Sequence, residues 1–196
     1  MPFEPADIIP RATMRTPEQI LGPYFPTQIK PATGGDLTTI DGGAGHAQGD
    51  VVEIVGQVLD LQGEPVPAVR ILIWQANCFG RYAHPNDHTE APLDPNFQGF
   101  AEISSDESGS FRLRTVRPGA YPAMGDWTRA PHIHFEVHGR FERLITQMYF
   151  PDEPLNARDR ILSSSPRPDL LIARPVPSDV EASCRTLRFD IVLARG

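Results

Sequence analysis

Prolines and glycines are spread along the whole chain and leave only short apolar runs between them. There are 21 prolines and 16 glycines among 196 residues, and a proline inside a helix removes a hydrogen-bond donor that the helix needs. Short apolar runs bounded by such residues are typical of β-strands. The pattern therefore predicts strands over 51–60, 69–76, 100–106, 110–116, 132–139, 144–150 and 186–193.

The domain organisation follows from where these runs lie. Residues 1–50 are predicted to form a loop-rich N-terminal arm that packs on the core, and residues 51–196 to form one β-sandwich domain. The only helix candidate is the short polar stretch at 167–174. A chain of this length, without a linker or repeat, can bury one sizeable core. The predicted fold class is all-β, a two-sheet sandwich with long functional loops.

The charge balance excludes several classes of partner. The chain has 18 lysines and arginines against 25 aspartates and glutamates, a net charge of −7, so no basic surface favours nucleic acid. No apolar run approaches the roughly 18 residues that a membrane span needs, and the first residues do not resemble a signal peptide. We therefore expect a cytoplasmic protein without nucleic-acid or membrane partners.

The segment RAPHIHFEV, residues 129–137, places two histidines two positions apart in a predicted strand. Successive side chains of a strand point to opposite faces, so His132 and His134 share one face and can both reach one metal ion. Ordinary half-buried polar residues on a sandwich strand produce the same pattern. The spacing alone leaves both interpretations open.

A long polar loop within 74–100 is a second candidate for function, because such loops are uncommon inside compact domains. It contains Tyr82, which together with Tyr121 adds two phenol groups to the two histidines. Tyrosine phenolate is a hard donor that is uncommon for zinc and suits ferric iron. Taken alone, however, Tyr121 after Pro-Gly is typical of a ring packed over a turn, and His84 and His88 are typical of solvated loop residues.

Longer motifs resemble known proteins. Residues 54–74 and 109–121 resemble the transthyretin-like β-sandwich module, which many non-enzymatic proteins share. Beyond that module, the chain from residue 16 to residue 193 resembles the intradiol ring-cleavage dioxygenases, particularly the iron-bearing beta subunit of protocatechuate 3,4-dioxygenase. The motifs that carry this resemblance are GQVLDLQGEPVPA, IWQAN, GRYAHPND, APLDPNF, RPGAYP, RAPHIHF and LITQMYF.

The resemblance implies a single non-haem ferric ion per chain, held by two tyrosines, two histidines and a hydroxide. Tyr82 corresponds to the equatorial tyrosinate, and Tyr121 to the axial tyrosinate that leaves when the substrate binds. His132 and His134 correspond to the histidine ligands, with His134 in the axial position.

The resemblance also implies residues around the substrate. Arg129 corresponds to an arginine beside the substrate ring and Gln147 to a glutamine near the hydroxide, so that Tyr121, Arg129 and Gln147 are the implied catalytic residues. The implied lining of the substrate pocket consists of Arg129 and Gln147 together with Tyr24, Tyr149 and Ile161.

The implied reaction is the cleavage of a catechol-type, protocatechuate-like diol by O2 to a cis,cis-muconate-type dicarboxylic acid. Two departures from the beta subunit bring the substrate into question: Ala123 replaces a tryptophan, and the segment from Tyr121 to His132 is shorter. We expect a homo-oligomer, with a second type of subunit as the alternative, because the related site lies at a subunit interface.

Two other functions fit part of the pattern. A non-catalytic transthyretin-like binding module would share the sandwich motifs but hold no metal. A zinc metalloprotein using the two histidines would need a carboxylate as third ligand, and the nearby Asp126 and Glu136 match no family pattern.

Overall fold

The computed structural model describes residues 14–26, 31–43, 45–177 and 184–196. Its regular structure is almost entirely strand, with one α-helix and two short 3₁₀ helices. The strands are β1 (Ala32–Thr33), β2 (Val51–Leu59), β3 (Arg70–Trp74), β4 (Phe100–Ser104), β5 (Ser110–Val116), β6 (Tyr121–Pro122), β7 (Thr128–Arg129), β8 (His132–His138), β9 (Arg143–Tyr149), β10 (Arg174–Val176), β11 (Arg185–Arg188) and β12 (Ile191–Val192). The helices are the 3₁₀ helices Pro154–Arg158 and Pro168–Leu171 and the α-helix α1 (Arg160–Ser163).

The strands form two five-stranded sheets and one small ribbon. The first sheet has the order β1-β4-β3-β8-β9, and the second has the order β10-β11-β2-β12 with β5 paired to β2. The ribbon consists of β6 and β7. The all-β class and six of the seven predicted strand regions are confirmed, the exception being 186–193, whereas a transthyretin-like arrangement of the sheets stays a prediction.

One apolar core lies between the two sheets. Alternate residues of β8, Ile133, Phe135 and Val137, are fully buried, and they belong to the same cluster as Ile54 of β2 and Leu113 of β5. Side chains alternate between the faces of a strand, so the opposite face of β8 presents His132, His134 and Glu136. The core therefore holds β8 rigidly while its other face stays available for polar groups.

The C-terminal strand region differs from the prediction of one strand over 186–193. β11 and β12 both run parallel to β2 but are separated by Phe189 and Asp190. A Cβ on Gly56 would lie 2.0 Å from the carbonyl oxygen of Phe189, so only glycine permits this close approach. Between β11 and β12 the backbone pairing with β2 is interrupted. There the Asp190 carboxylate accepts a hydrogen bond from the Gln57 backbone N–H at 3.1 Å.

The helix predicted at 167–174 is present only as one 3₁₀ turn, Pro168–Leu171. The α-helix of the described residues, α1, lies before it in the chain, at Arg160–Ser163. The Asp159 carboxylate accepts the backbone N–H groups of Ile161 and Leu162, so it caps α1 at its N-terminus. The helices of the described residues are single turns, and none has the length or apolar character required to span a membrane.

Residues 17–20 of the N-terminal region lie along β9. The Gln19 N–H donates to the Ile145 carbonyl at 2.8 Å, and the Thr146 hydroxyl donates to the Pro17 carbonyl at 2.9 Å. The following residues Leu21, Tyr24 and Phe25 pack on a second buried cluster around Trp74. The division into an arm and a domain at residue 50 stays a prediction.

Candidate metal centre and active site

The two histidines of β8 lie side by side in a closed site. His132 and His134 are 1% and 2% exposed, and their Nε2 atoms are 3.2 Å apart. In the sheet His132 is opposite Tyr149 and His134 is opposite Gln147, so the same face carries all four side chains. The strand alternation predicted from the sequence therefore places both imidazoles at one point.

Neighbouring groups fix the orientation of each ring. The Nδ1 atom of His132 is 2.6 Å from the carbonyl oxygen of Ala130, so Nδ1 carries the proton and the Nε2 lone pair faces the site. The ring of His134 stacks on the Trp74 indole, with ring centroids 4.7 Å apart and an angle of 13°. The Nε2 atoms of the two rings thus face each other at 3.2 Å, and the lone pair of His132 Nε2 is directed at His134.

The β6–β7 ribbon brings Tyr121 to the histidines. Tyr121 is opposite Arg129 in the ribbon, and its Oη atom is 3.3 Å from the Nε2 atom of His132. A Cβ on Gly80 would lie 2.2 Å from the Ala120 carbonyl oxygen, at a φ of 81°. Glycine at this position lets the loop that carries Tyr82 pass directly against the ribbon.

Tyr82 completes the cluster from the long loop. Its ring is 5.5 Å from that of Tyr121, edge on, and 6.3 Å from that of His134. Its backbone N–H donates to the buried Asp87 carboxylate at 2.7 Å, which holds the loop in place. Within the part of the chain that the structure describes, the buried Tyr82 Oη atom has no hydrogen-bond partner. A buried hydroxyl in that state is costly unless something else binds it.

Burial sets the protonation of all four groups. Burial raises the pKa of Tyr82 well above its ordinary value, and the neighbouring Tyr121 raises it further. Burial also raises the pKa of Tyr121, although the positive charge of Arg129 acts to lower it. Burial lowers the pKa of His132 and His134 well below the ordinary value, and the positive charge of Arg129 acts in the same direction. The site therefore offers neutral imidazoles and phenols that become anionic donors when a cation binds.

This donor set fits a hard, highly charged cation. The Tyr121 oxygen lies 3.3 Å from the Nε2 atom of His132, which lies 3.2 Å from that of His134. The Tyr82 ring lies 5.5 Å from that of Tyr121, and among the described residues the Tyr82 oxygen has no hydrogen-bond partner. Phenolates and imidazoles are ligands of iron in proteins. Within the described ranges, no three histidine, cysteine, aspartate or glutamate side chains are grouped to hold a metal ion. The carboxylate ligand that the zinc alternative needs is therefore not placed beside these histidines.

Arg129 is the charged group closest to the cluster and is 4% exposed. Its Nη1 atom is 3.5 Å from the Tyr121 oxygen, and Nη2 donates to the side-chain Oε1 of Gln147 at 2.7 Å and to the Tyr149 hydroxyl at 3.0 Å. Burial opposes the charge, but Tyr121, Tyr149 and Asp159 raise the pKa of Arg129 above its ordinary value. The guanidinium is thus a fixed positive charge beside the phenol oxygens.

The structure brings most of the remaining predicted residues to this place. Gln147 donates to the Ile20 carbonyl at 2.9 Å, which ties the N-terminal segment to the site. The Tyr24 ring lies 4.7 Å from that of Tyr82 and 6.2 Å from that of Tyr121. Ile161 is connected less directly, through Asp159, which accepts its backbone N–H. Of the loop histidines, His84 contacts Tyr24 at 5.8 Å between rings.

Three residues of the site were missed in the sequence. Trp74 backs His134, Asp87 holds the Tyr82 backbone, and Asp159 forms an ion pair with Arg129 at 2.8 Å. An aspartate directly before a short apolar run is a signal for a helix N-cap. That signal indicates that Asp159 caps a helix. It does not indicate that Asp159 pairs with Arg129, because no local sequence pattern connects residues thirty positions apart.

Fold and site together define a β-rich protein with a buried tyrosine–histidine cluster beside an arginine, and known proteins are similar to it in sequence and in fold. The sequence profile of the family described as Dioxygenase matches residues 20–195. The protocatechuate 3,4-dioxygenase beta chain of Burkholderia cepacia is 41% identical over 169 residues, covering 81% of this chain and 70% of that protein. The alpha chain from the same organism is 34% identical over 161 residues, covering 78% of each.

A solved structure agrees. The dioxygenase domain of a dioxygenase carbohydrate-binding protein fusion from Streptomyces sp. SirexAA-E superposes with a TM-score of 0.71 at 28% identity, covering 93% of this chain and all of that one. The chain belongs to the intradiol ring-cleavage dioxygenases. It is an enzyme of that kind, as its motifs predict.

Proposed function

We propose that the chain binds a single Fe(III) through Tyr82, Tyr121, His132 and His134 and cleaves catechol-type diols with O2. Cleavage between the two hydroxyl-bearing carbons would give a cis,cis-muconate-type dicarboxylic acid. The observation that supports the proposal is the clustering of two buried tyrosine rings and two buried imidazoles beside a buried arginine.

The ferric ion, when bound, supplies a Lewis acid that holds both oxygens of the diol. The protein supplies the rest. Tyr121 would hold the metal through its Oη atom, and the same atom would accept a proton from a diol hydroxyl. Arg129 lies 3.5 Å from that oxygen and stabilises negative charge that develops on the ring. The buried residues around the site exclude water from the reacting atoms.

The other ligand tyrosine has a different role. The backbone of Tyr82 is hydrogen-bonded to Asp87, and its ring packs against that of Tyr24. These contacts oppose any movement of the Tyr82 side chain out of the site. Tyr121 is in a two-residue strand at the base of a hairpin whose tip, from Ala123 to Asp126, is exposed. The contrast in packing supports the assignment of Tyr82 as the permanent ligand and Tyr121 as the one that leaves.

The direct test is turnover of the iron-loaded protein with catechol, protocatechuate, 4-methylcatechol and a longer-chain catecholic acid. We expect O2 uptake equal to the diol consumed, and a dicarboxylic acid identified by mass and ultraviolet spectrum. An aldehyde-bearing product from cleavage outside the diol, or no O2 uptake with any of the four, would contradict the proposed function.

The substrate preference depends on the hairpin tip. Ala123 is exposed, and its methyl side chain cannot line a pocket as an aromatic ring would. The Trp127 ring lies 5.6 Å from the Arg129 guanidinium carbon. We propose that the pocket accepts larger or varied substituents at the ring position para to a hydroxyl, with protocatechuate accepted but not strongly preferred.

For Ala123→Trp we expect a loss of at least about tenfold in kcat/KM for the longer-chain acid, with catechol much less affected. An apolar pocket discriminates by volume, at about 1–3 kcal/mol per methylene, so an added indole narrows the range. The comparison is kcat/KM for the four diols before and after the change. A thousandfold wild-type preference for protocatechuate that the substitution leaves unchanged would refute the wide pocket.

Assembly and location belong to the same proposal. The chain is similar to both the beta and the alpha chains of the Burkholderia cepacia dioxygenase. We propose a homo-oligomer in which copies of this chain occupy the positions of both the alpha and the beta chain, and a second type of subunit is the alternative. We also propose that the protein is located in the cytoplasm. The mass of the purified protein in solution tests the homo-oligomer, since a monomer would contradict it.

A further inference from the structure

Asp159 is a fully buried carboxylate next to the site, and the proposed reaction assigns it no role. Its side chain is 0% exposed, and each oxygen accepts two hydrogen bonds. Oδ2 accepts from the Arg129 Nε–H at 2.8 Å and from the Ala130 N–H at 3.0 Å. Oδ1 accepts from the backbone N–H groups of Ile161 and Leu162, both at 3.0 Å.

We propose that Asp159 is a positioning residue that fixes the Arg129 guanidinium relative to Tyr121, an inference that rests on the proposed ring cleavage. A guanidinium is planar and rigid, so its direction is determined once two of its nitrogens are held. Asp159 holds Nε, while Gln147 and Tyr149 hold Nη2. The remaining nitrogen, Nη1, then points to the Tyr121 oxygen at 3.5 Å.

The same carboxylate acts on the metal ligands through one residue. Asp159 holds the N–H of Ala130, and the Ala130 carbonyl accepts from Nδ1 of His132 at 2.6 Å. It also caps α1, in which Ile161 is an expected pocket residue. One buried carboxylate therefore contacts the arginine, the residue that orients His132 and the pocket helix, and the arginine contact is the one that lies closest to the reacting group.

An amide cannot replace this carboxylate. Four N–H donors point at the two oxygens of Asp159, and an asparagine would direct its NH2 group at two of them. Asp159→Asn therefore releases either the Arg129 side or the helix side, with little change in volume. Glu153→Gln is the matched control, because Glu153 also caps a short helix, at Leu155, and pairs with Arg117 at 2.6 Å, outside the cluster.

The experiment is a double-mutant cycle in kcat of the iron-loaded protein. We expect Asp159→Asn to lower kcat by about 10- to 100-fold, as residues that orient functional groups do, while iron content and visible absorption stay close to those of the wild type. Combined with Arg129→Leu, it should add less than about threefold to the loss from Arg129→Leu alone, because it acts through that arginine. Glu153→Gln should leave kcat within about threefold of the wild type.

Multiplicative losses in the double variant would overturn the inference, as would an effect of Glu153→Gln equal to that of Asp159→Asn. A second cycle, in the thermal midpoint of the protein without added iron, needs no turnover. Each single substitution leaves one buried charge without its partner, so the double variant should lose less than the sum of the single losses. Additive losses in this cycle would also overturn the inference. An inactive wild type would instead refute the proposed function.

Discussion

Arg129→Leu is expected to lower kcat/KM for ring cleavage by about 30- to 1000-fold, equivalent to about 2–4 kcal/mol of barrier, while iron stays bound. The guanidinium is buried, carries a fixed charge and lies 3.5 Å from the Tyr121 oxygen. A preorganised charge of this kind acts where negative charge develops and costs no reorganisation during the reaction. The measurement is turnover per bound iron, with the iron content determined on the same sample.

Arg117→Leu is the control for this prediction. Arg117 also pairs with a carboxylate and lies 4.7 Å over an aromatic ring, that of Phe150, but it does not touch the tyrosine–histidine cluster. Its loss should lower stability without changing turnover per iron by more than about threefold. If Arg129→Leu lost iron while the remaining iron kept full activity, Arg129 would be a structural residue and its catalytic role would be wrong.

The two ligand tyrosines are expected to respond differently to removal of the hydroxyl. Tyr82→Phe should lower iron affinity by more than about tenfold, since even residues that only orient ligands are worth about 10- to 100-fold. Tyr121→Phe should keep most of the iron but slow turnover by about 100- to 10,000-fold, because it removes the group that accepts the substrate proton. Iron content and the rate of substrate binding, followed by stopped-flow absorption, separate the two.

The metal-free protein provides the control for misfolding. The Tyr82 oxygen is buried and unpartnered, so removing it should leave the thermal midpoint unchanged or higher. The Tyr121 oxygen lies near His132 and Arg129, so its removal should lower the midpoint slightly. Identical iron contents and identical rates in the two variants would contradict the assignment of permanent and leaving ligands.

Local patterns predicted much of the fold. The apolar alternation of β2, β5 and β8 follows from side-chain periodicity alone, and the same periodicity places His132 and His134 on one face. The break between β11 and β12 was not predicted, because it depends on the contact between Gly56 and Phe189, which lie far apart in the sequence. The two-residue strands β6 and β7 were missed because such short pairs have no periodicity to detect.

The site was predicted unevenly for the same reason. The tyrosines and histidines proposed as ligands lie within distinctive motifs that the resemblance to a family identified. The stacking of Trp74 on His134 and the ion pair of Asp159 with Arg129 join segments that only the folded chain brings together. Buried charges need partners, so Arg129 implied some acid nearby. Which acid it is follows from the path of the chain into α1.

The central claim, a ferric ion held by two phenolates and two imidazoles, is tested most directly by the visible absorption spectrum of the iron-loaded protein. We expect about one iron per chain and a broad band from phenolate-to-iron charge transfer, which shifts when a catechol is added without O2. Removal of the iron by a chelator should abolish both the band and the turnover. Zinc as the tightly held metal, with no visible band after iron loading, would contradict the account.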